Sequence, residues 1–137
     1  MLTAEQEAVV EGQRVARLAT ADASGRPHVV PVCFAYHGGA FWVAIDEKPK
    51  STTALKRLRN IAENDAVALL FDRYDDEWSR LGFVLVRGTA AVVPGADEPA
   101  ALAALRGRYP QYETMALEER PLVRVTAETV SGWGDLG

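Results

Sequence analysis

Short strand-forming stretches separated by turn residues most constrain the fold of this 137-residue chain. The stretch at 14–21 (RVARLATA) alternates apolar and polar residues, and the following DASGRP contains Asp, Ser, Gly and Pro, which favour turns. Several such strands with short connections are typical of a small antiparallel barrel. The sequence therefore predicts a mainly β protein with about six antiparallel strands. They are predicted at residues 14–21, 28–36, 40–46, 66–74, 81–93 and 121–133.

Helices are expected at three places between these strands. Thr3 followed by Gln6 forms the pattern of a capping box, so a short helix should end near Gly12 and cover the barrel as a lid. A second helix is predicted at 97–109, and a third follows Pro49. With 48% hydrophobic residues, the chain has the size and composition of a single domain with one core, residues 1–137.

Composition argues against several classes of partner. The formal net charge is -4, so no general positive field attracts nucleic acid or an acidic membrane. The single Cys33 cannot form an internal disulfide, and two histidines with one cysteine are too few for an evident zinc site. The N-terminal MLTAEQEAVVEG is too acidic for a signal peptide or a membrane span. We therefore expect a cytoplasmic, metal-free protein that binds neither nucleic acid nor membrane.

The segment EKPKSTTALKRLRN, residues 47–60, concentrates positive charge. It contains all three lysines of the protein, whereas every basic position elsewhere is arginine. Pro49 disfavours helical geometry at the residue before it, so the helix should begin later, with Ser51 or Thr52 as N-cap. Five cations fall within twelve positions: Lys48, Lys50, Lys56, Arg57 and Arg59.

Two interpretations of this segment stay open on spacing alone. A helix N-terminus with free N–H groups, neighbouring hydroxyls and lysines has the components of a phosphate site. The alternative is a solvated amphipathic helix that is merely basic. In both, apolar residues should face the barrel, with Arg57 and Arg59 at the borders of the stripe and Lys56 and Asn60 pointing away. The expected stripe is Leu55, Leu58, Ile61 and Ala62.

Two further residues predict irregularities in the strands. Pro31 interrupts the strand predicted at 28–36. Because proline cannot donate a hydrogen bond to a ladder, that strand should lie at an edge or a bulge, where backbone groups become free for a ligand. Gly88 should bend the strand predicted at 81–93.

Three stretches, in this order, resemble the pyridoxamine-phosphate-oxidase-like split β-barrels: LATADASGRPHVVPVCF, FWVAIDEKPKSTTALKRLRNIAEND and DDEWSRLGFVLVRGTA. More narrowly, they are similar to an actinobacterial branch of oxidoreductases that depend on the deazaflavin coenzyme F420. The similarity covers about residues 14–93, with a weaker match in the last strand. It implies a homodimeric, FMN-binding type of split barrel, with the cofactor in a groove at the subunit interface.

The resemblance also implies which residues bind the cofactor. The phosphate-contacting turn matches Lys50, Ser51 and Thr52, and Arg57 matches a basic position about one helical turn further on. The basic residues align in more than one register, so Lys48 and Lys56 are candidates for the same role.

For the flavin-like ring, the resemblance points to backbone. Pro31 and Val32 match the strand that lines the ring. Trp78 is a candidate wall of the ring or substrate pocket, with packing at the barrel rim as the alternative role.

No nucleophile–base pair is evident in the sequence, and the catalytic residues are not assigned. This fits hydride chemistry carried by a cofactor, and equally non-catalytic binding. We expect an oxidoreductase that uses coenzyme F420 for hydride transfer to or from a small organic substrate, whose identity the sequence does not reveal. An FMN-dependent oxidoreductase of the same fold, or a non-catalytic flavin- or deazaflavin-binding protein, are the alternatives. Five cations suit the phosphate and carboxylate tail of the deazaflavin better than the single phosphate of FMN.

Overall fold

The computed structural model describes residues 2–45 and 52–136, and the side chains of residues 52–55 lie outside this description. These ranges contain three α-helices and seven strands. The helices are α1 (Ala4–Gly12), α2 (Thr52–Glu63) and α3 (Pro99–Arg108). The strands are β1 (Ala16–Ala21), β2 (Pro27–Val32), β3 (Ala35–His37), β4 (Ala40–Ala44), β5 (Ala66–Arg73), β6 (Gly82–Pro94) and β7 (Pro121–Gly134). All neighbouring strands are antiparallel, in the order β2-β1-β5-β6-β7-β4-β3.

The chain crosses from one edge of this sheet to the other between β2 and β3. These are the two edge strands, yet Val32 and Ala35 are three residues apart, which limits their separation to roughly 11 Å. The sheet must therefore curl until its edges nearly meet. No strand pairing joins β2 to β3 in the described chain, so the barrel is split and not closed.

The expected mainly β split barrel is confirmed, with one correction. The single strand predicted at 28–36 is wrong, because the residues that follow Val32 leave the ladder and the chain re-enters the sheet at the opposite edge. The sheet accordingly has seven strands instead of about six.

Tyr109, directly after α3, secures the break between β2 and β3. Its hydroxyl accepts a hydrogen bond from the backbone N–H of Phe34 at 3.1 Å and donates one to the carbonyl of Arg14 at 2.9 Å. The Arg108 guanidinium lies 4.8 Å from the centre of the Phe34 ring and pairs with Glu11 at 2.8 Å. The backbone N–H of Phe34, which has no partner in the sheet, is thus satisfied by the Tyr109 hydroxyl.

Apolar side chains pack on both faces of the sheet. Inside, Phe34, Phe41 and Phe71 are fully buried, and the centroid of the Phe71 ring lies 4.9 Å from that of Phe34 and 5.4 Å from that of Phe41. Outside, Leu102 and Leu105 of α3 belong to a second cluster with side chains of β3 and β4. No described helix packs on the outer face of β2, β1 and β5.

Helices α1 and α2 pack on the barrel core itself. The predicted capping box of α1 is confirmed, since Gln6 N–H donates to the Thr3 hydroxyl and Thr3 N–H donates to the Gln6 side chain. Val9 and Val10 of α1 and Ile61 of α2 are buried in the same apolar cluster as the inward strand residues. The two helices therefore add to the core that the curled sheet encloses.

The pairing of β6 with β7 is irregular at Gly88, the residue at which a bend was predicted. The register between β6 and β7 shifts between Arg87 and Gly88, which makes Glu128 of β7 the extra residue of a β-bulge. A Cβ on Gly88 would overlap the carbonyl oxygen of Thr126, so glycine is required for the two strands to approach here.

Replacing Tyr109 by phenylalanine should destabilise the fold, because it leaves the Phe34 N–H buried without a partner. We expect the free energy of unfolding to fall by about 1–3 kcal/mol, measured by urea denaturation. Tyr36→Phe is the matched control: Tyr36 is half-buried, and its hydroxyl makes no hydrogen bond with the described residues. Equal stability of the two variants would contradict the role assigned to Tyr109.

Candidate functional site

Strand β2 offers a free sheet edge. Among the described strands it pairs only with β1, where Pro31 lies opposite Arg17. The prediction that proline places this segment at an edge is confirmed. Pro31 is exposed, whereas Val32 is 7% exposed and belongs to the barrel core. A flat ligand on this edge would therefore meet the backbone of Val32 and not its side chain.

The buried face of helix α2 agrees with the prediction only in part. Ile61 is buried and Leu58 packs against the core as predicted, whereas the side chain of Leu55 lies outside the described residues. Arg57, Asn60 and Ile61 are 4%, 2% and 4% exposed, whereas Ala62 is exposed. The predictions that Asn60 points away and that Ala62 faces the barrel are wrong, and Arg57 lies within the buried face instead of at its border. The reason is the surface beneath the helix: Thr20 of β1 is inward and 4% exposed, so a polar partner is needed there.

Three hydrogen bonds join α2 and the residue after it to the hairpin formed by β1 and β2. We call this set the α2–hairpin link. It holds the helix against the hairpin that carries β2. Its members are Asn60 Nδ2 to Thr20 Oγ1 at 3.1 Å, Ala23 N–H to Glu63 Oε1 at 3.2 Å, and Asn64 Nδ2 to the Asp22 carbonyl at 3.4 Å.

The basic residues of α2 differ in exposure. Lys56 is half-buried, Arg57 is buried and Arg59 is exposed. Helix α2 begins at Thr52, so Thr52 is not the N-cap. Lys48, Lys50 and Ser51, the other residues predicted to contact phosphate, lie outside the described residues.

The turn of the β1–β2 hairpin is electrostatically coupled to α2. The N–H of Arg26 donates to the Asp22 carboxylate and lowers the pKa of Asp22 below its ordinary value. The N–H of Ser24 and the positive charges of Arg26 and Lys56 act in the same direction, and partial desolvation opposes them. The charge of Lys56 is the smallest of these influences on Asp22.

A family model for pyridoxamine 5'-phosphate oxidase matches residues 2–134, nearly the whole chain. The chain belongs to the pyridoxamine 5'-phosphate oxidase family. No curated protein matches the sequence. The family fold is the split barrel described above, in which flavin-type cofactors bind.

Several solved structures are similar to this family member. An FAD-binding protein from Mesorhizobium loti is 26% identical over 96% of this chain and 94% of its own, with a TM-score of 0.70. A protein named F420 reductase is 23% identical over 95% and 98% of the two chains, with a TM-score of 0.66. The heme storage protein HutZ from Vibrio cholerae is 17% identical over 93% and 90%, with a TM-score of 0.71. The last two likenesses show the fold alone.

Trp78 is not brought together with α2 within one chain. It lies in the 3₁₀ turn after β5, is 72% exposed, and donates to the Tyr74 hydroxyl at 3.4 Å. Helix α2 leads into the opposite end of β5, roughly 23 Å away along the eight-residue strand. A contact between Trp78 and the cofactor stays a prediction.

The sequence did not point to the α2–hairpin link. Its one visible signal is Thr20, a polar residue that continues the inward positions of Ala16 and Leu18 along β1. Asn60 gave no signal, because its partner is forty residues away in the chain.

Metal and membrane sites are not apparent in the described part of the chain. Residues 2–45 and 52–136 contain no group of three or more His, Cys, Asp or Glu side chains placed to hold a metal ion. Within the same ranges, no helix combines the length and apolarity needed to span a membrane.

Removing the charge of Lys56 should move the pKa of Asp22 upward, toward its ordinary value. Lys56→Ala deletes one of the charges that lower it, while the hydrogen bonds from Arg26 and Ser24 remain. Carboxyl ¹³C chemical shifts followed through a pH titration measure this. Arg59→Ala, an exposed position on the same helix, is the control and should leave Asp22 unchanged. The placement of Lys56 near the turn is wrong if both variants titrate like the parent.

Proposed function

We propose that this protein is an oxidoreductase that uses coenzyme F420 for hydride transfer to or from a small organic substrate. One observation carries the proposal: the basic helix α2 is hydrogen-bonded to β1 and to the turn of the hairpin whose second strand, β2, has a free edge in the described chain. A strand edge suits a flat ring, and a basic helix suits its phosphorylated arm. Their connection within the described chain is what a ligand with both parts requires.

The residues present fit such a cofactor at the ring end. The outward side of β2 has no partner strand in the described chain, so backbone N–H and C=O groups there are available to the polar atoms of a ring. Pro31 fits this edge because it lacks an N–H. Val32 anchors the end of the strand in the core, which keeps the edge in place.

At the site proposed for the anionic arm of the cofactor, the burial of Arg57 divides the cations into two groups. Arg57 is held within the protein and does not belong to an exposed row of charges. Lys56 and Arg59 are accessible, and the sequence adds Lys48 and Lys50 before the helix. Four cations still exceed what the single phosphate of FMN requires, and they suit the phosphate together with the lactyl and glutamate tail of the deazaflavin.

The similar structures support a flavin-type cofactor in general more than they support F420 in particular. The Mesorhizobium protein is named for FAD binding and the reductase for F420. HutZ shows that the same fold also occurs in a heme storage protein, so fold alone does not decide function. The choice of F420 over FMN rests on the sequence resemblance and on the number of cations.

Hydride transfer would be the chemistry that the bound deazaflavin supplies. The part of this chain is to orient the ring along β2, to neutralise the anionic arm with α2, and to leave one ring face open to substrate. No residue is assigned as a proton donor or acceptor. A cytoplasmic location is part of the proposal and rests on the single cysteine of the sequence.

The parent protein should bind coenzyme F420 more tightly than FMN at low ionic strength, and the difference should shrink as salt rises. The reason is that exposed contacts to the tail are each worth at most about 1 kcal/mol and are screened by ions. Fluorescence titration of both cofactors at two salt concentrations measures the effect. Equal or tighter binding of FMN at low salt would refute the cofactor assignment. Oxidation of the reduced coenzyme by candidate acceptors then separates an enzyme from a binding protein.

Lys50→Ala serves as the loss-of-contact variant in the same titration. If Lys50 contacts the phosphate, the binding free energy should weaken by about 1.5–3 kcal/mol. Arg80→Ala, an exposed cation in the turn before β6, is the control and should bind like the parent. An unchanged Kd for Lys50→Ala and Ser51→Ala would assign the basic segment to a solvated surface.

We further propose a homodimer, joined through an outer sheet face that no described helix covers. Along each strand, the residues of this outer face alternate with inward residues such as Leu18 and Leu69, which are fully buried. Its apolar side chains lie opposite one another on neighbouring strands, so they form one continuous patch. Such a patch favours association. It consists of Val29, Ala19, Ala68, Leu70 and Leu85.

The charges on the outer face support a second copy as the partner. Arg17, Arg87, Asp72 and Glu128 form no ion pair with the described residues. Two arginines and two carboxylates on one surface can pair across a two-fold axis, where each subunit offers both signs.

Leu85→Glu should convert the dimer into a monomer, because it would bury a charge in the interface. Sedimentation velocity at micromolar concentration measures the change. Val92→Glu is the control: Val92 is 41% exposed near the far end of β6 and is not part of the patch, so its substitution should leave the dimer intact. A monomeric parent protein would refute the dimer.

A further inference from the structure

The Asn60–Thr20 hydrogen bond is unusual among the polar contacts of this chain. Both residues are almost fully buried, at 2% and 4% exposure. Together with Arg57 they are the buried polar or charged residues of the described chain. A buried pair of this kind has one good geometry, and losing either partner leaves a polar group without water. It therefore fixes the position of α2 more firmly than a surface contact would.

The position of this bond connects two surfaces. Thr20 lies opposite His28 in the β1–β2 pairing, so the bond reaches β2 through a single strand ladder. Asn60 lies one helical turn after Lys56 and Arg57. The exposed Glu63 adds a second contact to the hairpin through the Ala23 N–H. The spacing between the basic part of α2 and the edge of β2 is thus set within the described chain.

We propose that Thr20 and Asn60 are positioning residues, which set the spacing between helix α2 and the edge of β2 for a ligand that carries both a ring and a phosphate. This inference rests on the proposed function. A ligand that contacts both surfaces gains from their preset spacing, since less ordering is needed when it binds. A ligand that contacts the β2 edge alone gains nothing from it.

The test compares ligands that differ by the phosphate arm. Riboflavin has the ring and ribityl chain of FMN without the phosphate, and the corresponding phosphate-free fragment exists for the deazaflavin. Thr20→Val replaces the hydroxyl by a methyl group of similar size and keeps a β-branched side chain in the strand. We expect it to weaken binding of the phosphorylated cofactor about tenfold and to change binding of the matching fragment less than twofold. Thr20→Ser keeps the hydroxyl and should bind the phosphorylated cofactor with the parent affinity.

Two further variants guard against a merely structural effect. Thr126→Val makes the same chemical change at an exposed position of β7 and should bind both ligands like the parent. Glu63→Ala removes the acceptor of the Ala23 N–H at an exposed position. It should show the pattern of Thr20→Val more weakly, about threefold, and it remains informative if Thr20→Val does not fold.

The outcomes separate the two proposals. Selective loss of the phosphorylated cofactor supports the positioning role. Equal loss of both ligands, or no loss of either, overturns it while the proposed function stands. If the parent protein binds neither FMN nor coenzyme F420, the proposed function fails and the positioning role fails with it.

Discussion

The crossing of the chain from β2 to β3 is the constraint on which the rest of this structure depends. Only two residues, Cys33 and Phe34, separate strands that lie at opposite edges of a seven-stranded sheet, so the sheet has to curl around one core. The crossing is possible because Tyr109 accepts the Phe34 N–H that no strand can accept. Helix α3 thus stabilises an opening in the barrel, and that opening leaves β2 with a free edge. The same break that disrupts the ladder makes backbone available for a ligand.

Polar as well as apolar contacts determine how α2 sits on the barrel. Ile61 contributes to the core, but Asn60 and Arg57 occupy the same buried face. A helix that packed by apolar area alone could slide or rotate, whereas a hydrogen bond between two buried side chains specifies one arrangement. This specificity is useful if the helix must present cations at a set distance from β2. Solved structures with this fold include proteins named as FAD-binding, as an F420 reductase and as a heme storage protein, so such local contacts are where proteins of this fold can differ.

The sequence predicted those features that local pattern decides. Alternation with period two identified the strands, the Thr3–Gln6 spacing identified the capping box of α1, and Pro31 identified an edge strand. Features decided by distant partners were missed. The break after Val32 depends on Tyr109, 75 residues beyond Phe34, and the buried face of α2 depends on Thr20, forty residues before Asn60. The predicted site residues divide three ways: Pro31 and Val32 lie on β2 and Lys56 and Arg57 on α2, Trp78 lies apart, and Lys48, Lys50 and Ser51 lie outside the described residues. Their contacts with a cofactor stay a prediction.

The central claim is that a phosphorylated ring cofactor binds along the free edge of β2 with its anionic arm toward α2. Hydrogen–deuterium exchange of the parent protein, with and without saturating coenzyme F420, tests this claim most directly. The account predicts slower exchange in peptides that cover β2 and α2. A different surface is available for comparison, the groove lined by residues 92–95 and 118–121. Protection confined to that groove, with exchange in β2 unchanged, would contradict the account.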